Sequence, residues 1–426
     1  MPVKCVIGMH WGDEGKGGII DALSEEADLV VRCQGGANAG HTVHVGDKTF
    51  KFHLLPCGVL REGVRNLIGH GVVLDIEEVV EEIESLRSNG VNPEGRLFIS
   101  DRCQVLMPYH KKLDGLSEKL LDRAALGTSK RGIGPCYADK VSYRGIRLAD
   151  AYDGDFLKKT IQKNLLVTNA LLKHVYAEEA LDIDELIETT SRLVERLKPF
   201  VADGIALVRR ALDAGERILV EGAQGTLLDV DYGTYPYVSA SNASVHGVSS
   251  GSGIPERKID TVIGVAKAYC TRVGAERGPF PTEDRGPDAD IIRKRGKEYG
   301  TTTGRPRQCG WLDLVATRYS ARVNDVDYLA VSLLDVLDAF DTVKVCEAYE
   351  LDGKRIQRFP AGCAELMRVK PVYREMPGWK TDITGCRKWE DLPVQAREYI
   401  DFIGSFVGAP VNIVRLGPER EQTIRR

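Results

Sequence analysis

The chain lacks a surplus of either charge: 58 Lys and Arg stand against 62 Asp and Glu, a net charge of −4. A protein that holds nucleic acid through a bulk positive field is therefore not expected. No apolar run approaches the roughly 18 residues of a membrane span, so no membrane partner is expected. Residues 1–10 show no charged segment leading into a long apolar run, so no secretory leader is expected. Ten cysteines are present, yet none form a C-x-x-C pair. That spacing argues against structural zinc and reads as reduced, buried thiols in a cytoplasmic protein. Internal repeats, low-complexity tracts and flexible linkers are also missing. One large unit over residues 1–426 is the simplest organisation, with a helical and loop insertion at about 100–213.

What the chain has in excess is glycine, 44 of 426 residues, about 10% against an average near 7%. Glycine is costly inside regular structure and is placed where backbone must turn or approach a ligand. Residues 3–9 are an apolar run that breaks into glycine, a buried strand feeding a loop. Residues 16–24 then read as a helix, 29–33 as a second strand, 66–74 as strand-like, and 76–88 as an acidic amphipathic helix. Residues 217–220 and 328–334 are further apolar strands, and 258–269 reads as helix or strand. Alternating strands and helices predict an α/β fold with a large, mostly parallel central sheet, surrounding helices and long ligand-binding loops. Residues 157–213 have helical composition. Residues 123–150 and 231–253 are expected to be loop, and 284–300 charged and exposed.

Three segments carry chemistry. Trp11-Gly12-Asp13-Glu14-Gly15-Lys16-Gly17 lies between a strand and a helix, where glycines let backbone N–H groups close on an anion and Lys16 adds charge. A tight turn alone would also explain it, because the spacing is not that of the standard P-loop. Asp13 in a phosphate cradle would repel phosphate unless it binds Mg²⁺ or takes a proton from substrate. Gln34-Gly35-Gly36-Ala37-Asn38-Ala39-Gly40-His41-Thr42 sits at a strand exit, where open α/β sheets bind ligands. His41 there is an acid, an electrostatic donor or a structural histidine. Thr301-Thr302-Thr303-Gly304-Arg305-Pro306-Arg307 joins hydroxyls to two forked cations, a receptor for carboxylate or phosphate, or else a solvated basic turn. Asp335 closes an apolar strand, as an acceptor for a base or as a helix cap.

Together with Arg131-Gly132-Ile133-Gly134-Pro135, Glu221-Gly222-Ala223-Gln224-Gly225 and Gly233-Thr234-Tyr235-Pro236-Tyr237-Val238, these segments resemble the adenylosuccinate synthetase family over nearly the whole chain. The resemblance implies a P-loop-type, GTPase-like phosphate site and the joining of IMP to L-aspartate with GTP through 6-phosphoryl-IMP. It implies catalytic roles for Asp13, Lys16, His41 and Gln224. For IMP it implies Asp13, Glu14, Gly15, Lys16, Asn38, Ala39, Gly40, His41, Ser129, Arg144, Gln224, Ser239 and Arg305. For aspartate it implies Thr301, Thr302, Thr303, Gly304, Arg305 and Arg307. For GTP it implies Gly12, Asp13, Glu14, Gly15, Lys16, Gly17, Gly40, His41, Thr42, Arg307, Leu333, Asp335, Arg415 and Gly417. Mg²⁺ would be held by Asp13 and the Gly40 carbonyl. A homodimer is implied, in which Arg144 or Arg147 crosses to the partner's site. The chain departs from the family pattern at Gly18, Lys130, Tyr143, Leu333 and Arg415, and carries Ser129 and Ser239 where Thr is usual. A paralogue on the same scaffold, using a GMP-type acceptor or ATP as donor, is the competing reading.

Overall fold

The computed structural model describes residues 3–45, 48–272, 278–300, 304 and 306–426. Short, apolar-rich strands dominate its centre: Val3–Gly8 (β1), Leu29–Arg32 (β2), Arg65–Ile68 (β3), Leu97–Ser100 (β4), Val201–Ala202 (β5) and Ile218–Glu221 (β6). They are followed by Thr261–Lys267 (β7), Tyr328–Ser332 (β8), Val411–Arg415 (β9) and Thr423–Arg425 (β10). These ten strands form one sheet in the order β10-β9-β8-β7-β1-β6-β2-β3-β4-β5. Every pairing is parallel except that of β9 with β10. The predicted large, mostly parallel sheet is thus present.

Side-chain alternation explains why both faces are covered. Val3, Cys5 and Ile7 of β1, with Leu29, Val31, Ile218 and Val220, face one core. Val6, Val30, Leu219, Ile263 and Val265 face the other, where they meet Ile19, Ile20 and Leu23. Those last three lie on Lys16–Leu23 (α1), the helix that follows β1. Ile76–Ser88 (α2) buries Ile76, Val79, Val80, Ile83 and Leu86 at helical spacing, and the Asp75 side chain caps it by accepting from the Glu78 N–H. Pro108–Leu121 (α3), Ile133–Val141 (α4), Gly154–His174 (α5), Ile183–Leu197 (α6) and Gly204–Asp213 (α7) supply the helical region expected between 100 and 213.

Three expectations are corrected. Residues 123–150 contain α4: Gly132 serves as its N-cap at φ 75°, and Pro135 falls in the first turn, where its missing N–H is harmless. Residues 231–253 contain the helix His246–Ser252 (α8). Residues 284–300 contain Pro287–Arg295 (α9), which buries Ala289 and Ile292, and Glu298 beyond it is also buried.

Candidate active site

The carboxyl ends of the parallel strands all open on one edge of the sheet, and the predicted segments leave from that edge. Residues 9–15 follow β1, 33–40 follow β2, 222–226 follow β6, 333–335 follow β8 and 416–418 follow β9. The strands themselves end in buried polar side chains. Arg32, Glu221, Lys267 and Ser332 close β2, β6, β7 and β8 at 0–1% exposure. Arg32 lies opposite Glu221 and Lys267 opposite Ser332 in the ladder.

The loop after β1 takes three left-handed residues, Gly12 (φ 84°), Asp13 (φ 57°) and Gly15 (φ 78°). Glu14 explains how it keeps this shape. Its carboxylate is fully buried and accepts the N–H groups of His10 (3.0 Å) and Gly12 (2.9 Å), and it ion-pairs with Lys16. Burial works against that charge, but the Lys16 cation outweighs it and the carboxyl sits below its ordinary pKa. A Cβ on Gly8 would lie 2.5 Å from the Glu14 carboxylate, so glycine is required there. Glu14, expected as a ligand contact, turns its side chain into the protein, and Gly15 caps α1 with no side-chain acceptor. The backbone amides at this helix start are left for an anion. Asp13 points the other way and pairs with Arg307 at 2.8 Å.

His41 opens the hairpin made by His41–Val45 and Lys48–Phe52. Its Nδ1 lies 2.6 Å from Glu221 Oε1. Glu221 also accepts the Cys57 N–H at 2.8 Å. Burial opposes the Glu221 charge, but His41 and Arg32 hold its pKa below the usual range. His41, Cys57 and Glu221 have metal-ligating atoms within 4.8 Å of one another. Their spacing is that of a hydrogen-bonded histidine–carboxylate pair, and burial pushes the Cys57 thiol pKa well up, which keeps it an inert neighbour.

A polar chain crosses from the loop after β2 to the loop after β6. Gln224 (φ 55°) donates from Nε2 to Asn38 Oδ1 at 3.0 Å, and the Ser241 hydroxyl donates to Gln224 Oε1 at 3.4 Å. The Ser239 hydroxyl lies 3.2 Å from that of Ser241. Three residues expected at IMP thus meet in one network.

Other predicted residues lie apart from it. Ser129 is exposed in an irregular loop. Arg144 pairs with Asp139 at 2.6 Å and is neighbour to Tyr143, which is 92% exposed. Thr301, Thr302, Thr303 and Arg305 lie outside the described residues, whereas Gly304 (φ 63°) is described. Leu333 takes φ 58°. Asp335 Oδ1 is buried with no hydrogen-bond partner among the described residues, and burial raises the carboxyl to about 7. Arg415 folds back under α1 and donates to Gly18 O (3.1 Å) and Pro418 O (2.5 Å). A Cβ on Gly18 would lie 2.5 Å from its guanidinium carbon. The departures at Gly18 and Arg415 therefore belong together: one makes room for the other. Gly417 packs against the Gln422 side chain.

For a divalent cation, the Asp13 carboxylate and Gly40 carbonyl offer only hard oxygen donors. The Asp13 side chain is 29% exposed, and the nearest atoms to a Cβ at Gly40 are 3.9 Å away. By donor chemistry both groups suit such an ion, although Asp13 is met here by the Arg307 guanidinium. Sequence reasoning missed Glu221 as the partner of His41, and missed Lys267 and Glu298. The Glu221 signal was present, since it opens the Glu-Gly-Ala-Gln-Gly segment.

The adenylosuccinate synthetase family model matches residues 5–424. The adenylosuccinate synthetase of Alkaliphilus metalliredigens is 47% identical over 426 residues, covering 100% of this chain and 99% of that protein. That of Carboxydothermus hydrogenoformans is 49% identical over 424 residues, covering 100% and 99%. Among solved structures, fully ligated adenylosuccinate synthetase from Plasmodium falciparum matches with a TM-score of 0.93 at 37% identity, covering 100% of both chains. The succinoaminodeoxyadenylate synthetase of cyanophage S-2L, bound to dGMP and dATP, matches at 18% identity and a TM-score of 0.63, covering 100% of this chain and 95% of that one, and so shares the fold. The carboxyl-edge loops, their buried ionic supports and these full-length likenesses lead to one assignment: the chain belongs to the adenylosuccinate synthetase family.

Proposed function

We propose that this chain is a ligase that joins IMP to L-aspartate with GTP, forming a C–N bond and releasing GDP and phosphate. The observation that carries this reading is the meeting of Asp13, the His41–Glu221 pair and the Asn38–Gln224 network at one sheet edge. The oxygen at C6 of IMP is a poor leaving group, so it must be activated before an amine can replace it. Asp13 takes the N1 proton. The resulting O6 oxyanion attacks the γ-phosphate of GTP and gives 6-phosphoryl-IMP. His41, with Nδ1 committed to Glu221, turns Nε2 to the phosphoryl group as negative charge builds. Lys16 and the amides at the start of α1 neutralise phosphate charge. The aspartate amine then displaces phosphate at C6. Asp13 and the Gly40 carbonyl would hold Mg²⁺, which would supply charge neutralisation at the phosphates. Gln224, Asn38 and Ser239 orient IMP, with the backbone of Glu14 and Gly15, and Ala39, Ser129 and Arg305, completing its contacts, and with Arg144 or Arg147 reaching across a dimer to the IMP bound in the other copy. Thr301, Thr302, Thr303, Gly304, Arg305 and Arg307 receive the aspartate carboxylates. Gly12, Gly17, Thr42, Arg307, Leu333, Arg415 and Gly417 line the GTP site. Asp335, with its unpartnered buried oxygen, reads the guanine N–H donors.

Residues 1–426 act as one catalytic unit carrying the insertion at about 100–213. A homodimer is supported by exposed apolar side chains next to Arg144 in the chain: Val141 and Tyr143 are 73% and 92% exposed. The test is phosphate release that requires IMP, GTP and aspartate together. Asp13→Asn should fold with an unchanged melting temperature and lose about 10³-fold in kcat. Normal turnover in that variant would overturn the proton-abstraction role.

A further inference from the structure

Arg307 Nη2 rests on Asp13 Oδ2 at 2.8 Å, while Nη1 is held by Glu298 Oε2 at 2.7 Å. Glu298 is itself immobilised. It is 1% exposed, and its other oxygen accepts from Lys267 Nζ (2.6 Å) and the Tyr269 hydroxyl (2.5 Å). Lys267 ends β7 and is tied further to the Thr271 hydroxyl at 2.8 Å. The backbone repeats the clasp, because the Arg307 N–H donates to the Glu298 carbonyl at 3.0 Å. Burial opposes the Glu298 charge, but Lys267 and Arg307 outweigh it and hold its pKa below the ordinary range. Two cations and two carboxylates, Lys267, Arg307, Glu298 and Asp13, thus form a row of balanced charge that leads from the buried end of β7 to the partly exposed proposed base.

A guanidinium is a rigid planar fork. With Nη1 fixed on an immobile carboxylate, the arms free to change partner are Nη2 and Nε. Nε is buried and has no partner among the described residues. Glu298, by holding Nη1, excludes the end-on fork to Asp13, and Asp13 rests on Nη2 alone, a single-armed contact that is weaker than a bidentate one. We infer that Glu298 is a positioning residue, which sets the Arg307 fork so that one arm restrains Asp13 until an incoming phosphate anion takes that arm over. This rests on the proposed role of Asp13 as base and of Arg307 at the nucleotide.

The test is a double-mutant cycle of Glu298→Gln and Arg307→Ala, read on kcat and on the Kd of a non-hydrolysable GTP analogue. Glu298→Gln should lower kcat about 10- to 100-fold. In the Arg307→Ala background the same change should have an effect on kcat and Kd within about twofold, because its route is already gone. Equal losses in both backgrounds would overturn the inference. Glu298→Gln leaves Lys267 uncompensated, so Lys267→Met/Glu298→Gln is the companion variant that restores charge balance. It should recover the melting temperature and keep the kcat loss; recovery of kcat together with stability would make Glu298 purely structural and also overturn the inference. Asp13→Asn separates the two readings. An active Asp13→Asn enzyme defeats the mechanism, whereas an inactive one with an additive cycle defeats only the assignment of Glu298.

Discussion

His41 meets Glu221 through Nδ1, and this contact decides which ring nitrogen is left for the phosphoryl group. Glu221→Gln keeps the shape but weakens the hold on the ring. Its kcat is expected to fall about 10- to 100-fold while KM for GTP changes little; steady-state kinetics beside a melting curve would read this, and an unchanged kcat would remove Glu221 from the mechanism. Little of this pairing was legible beforehand, because the two residues are brought together only by the sheet. Glu14 illustrates the opposite difficulty. A carboxylate in a glycine-rich turn reads as ligand-facing, yet positive φ at Gly12, Asp13 and Gly15 sends Asp13 outward and Glu14 into the loop's own amides. Side-chain direction in such a turn follows from backbone angles that composition does not reveal.

The loops were far easier to place than their supports. Residues 9–17 and 34–42 were located by glycine clustering at strand exits, and β1 and β2 end within one residue of where that reading put them, whereas β3 stops at Ile68, short of the expected residue 74. Helix α4 escaped it because Gly132, Gly134 and Pro135 read as breakers, although at a helix start the same residues are tolerated. Helix α1 shows how one element accommodates another. Gly18→Ala would place a methyl against the Arg415 guanidinium and disturb its bonds to Gly18 O and Pro418 O. In the native background it should destabilise the protein by about 1–2 kcal/mol, since a buried charged donor loses partners. In an Arg415→Ser background the same change should be neutral or stabilising by up to about 1 kcal/mol, the helix preference for Ala over Gly. Melting curves of the four proteins give the comparison, and equal effects in both backgrounds would refute the coupling.

Across the whole molecule, buried carboxylates on ionic supports set the response to acid. Glu14, Glu221 and Glu298 have folded-state pKa values below their ordinary 4.5. The stability they contribute is complete above that value and is lost as pH falls through the folded values. His10, lowered by burial to about 4 from 6.5, acts in the same direction from a higher pH. Asp313, Asp335 and Asp338, raised by burial to about 6, 7 and 6, act oppositely and favour the folded state as pH falls through those values. Ligand-free calorimetry should therefore show a melting temperature that rises as pH falls from about 7 to 5, because the three raised carboxyls outweigh His10, and that then falls at pH values below about 4.5. A melting temperature that holds steady below that point would contradict the buried-carboxylate account.

The place of β1 also orders events in time. The earliest of the described strands in chain order lies in the middle of the sheet, between β6 and β7, and its registers join Val3 to Ile218 and Lys4 to Thr261. Neither neighbour exists until more than half of the chain has been synthesised. Until then the β1 edges are unsatisfied and apolar, a state in which a nascent chain is open to aggregation and depends on chaperones. The cluster of residues 37–200 is complete in sequence before β6 is made, but the strands that flank β1 also carry Glu221 and Lys267, so the core around β1 and the chemistry at its end are completed in one late step, and no N-terminal fragment ending before residue 267 can hold either of these.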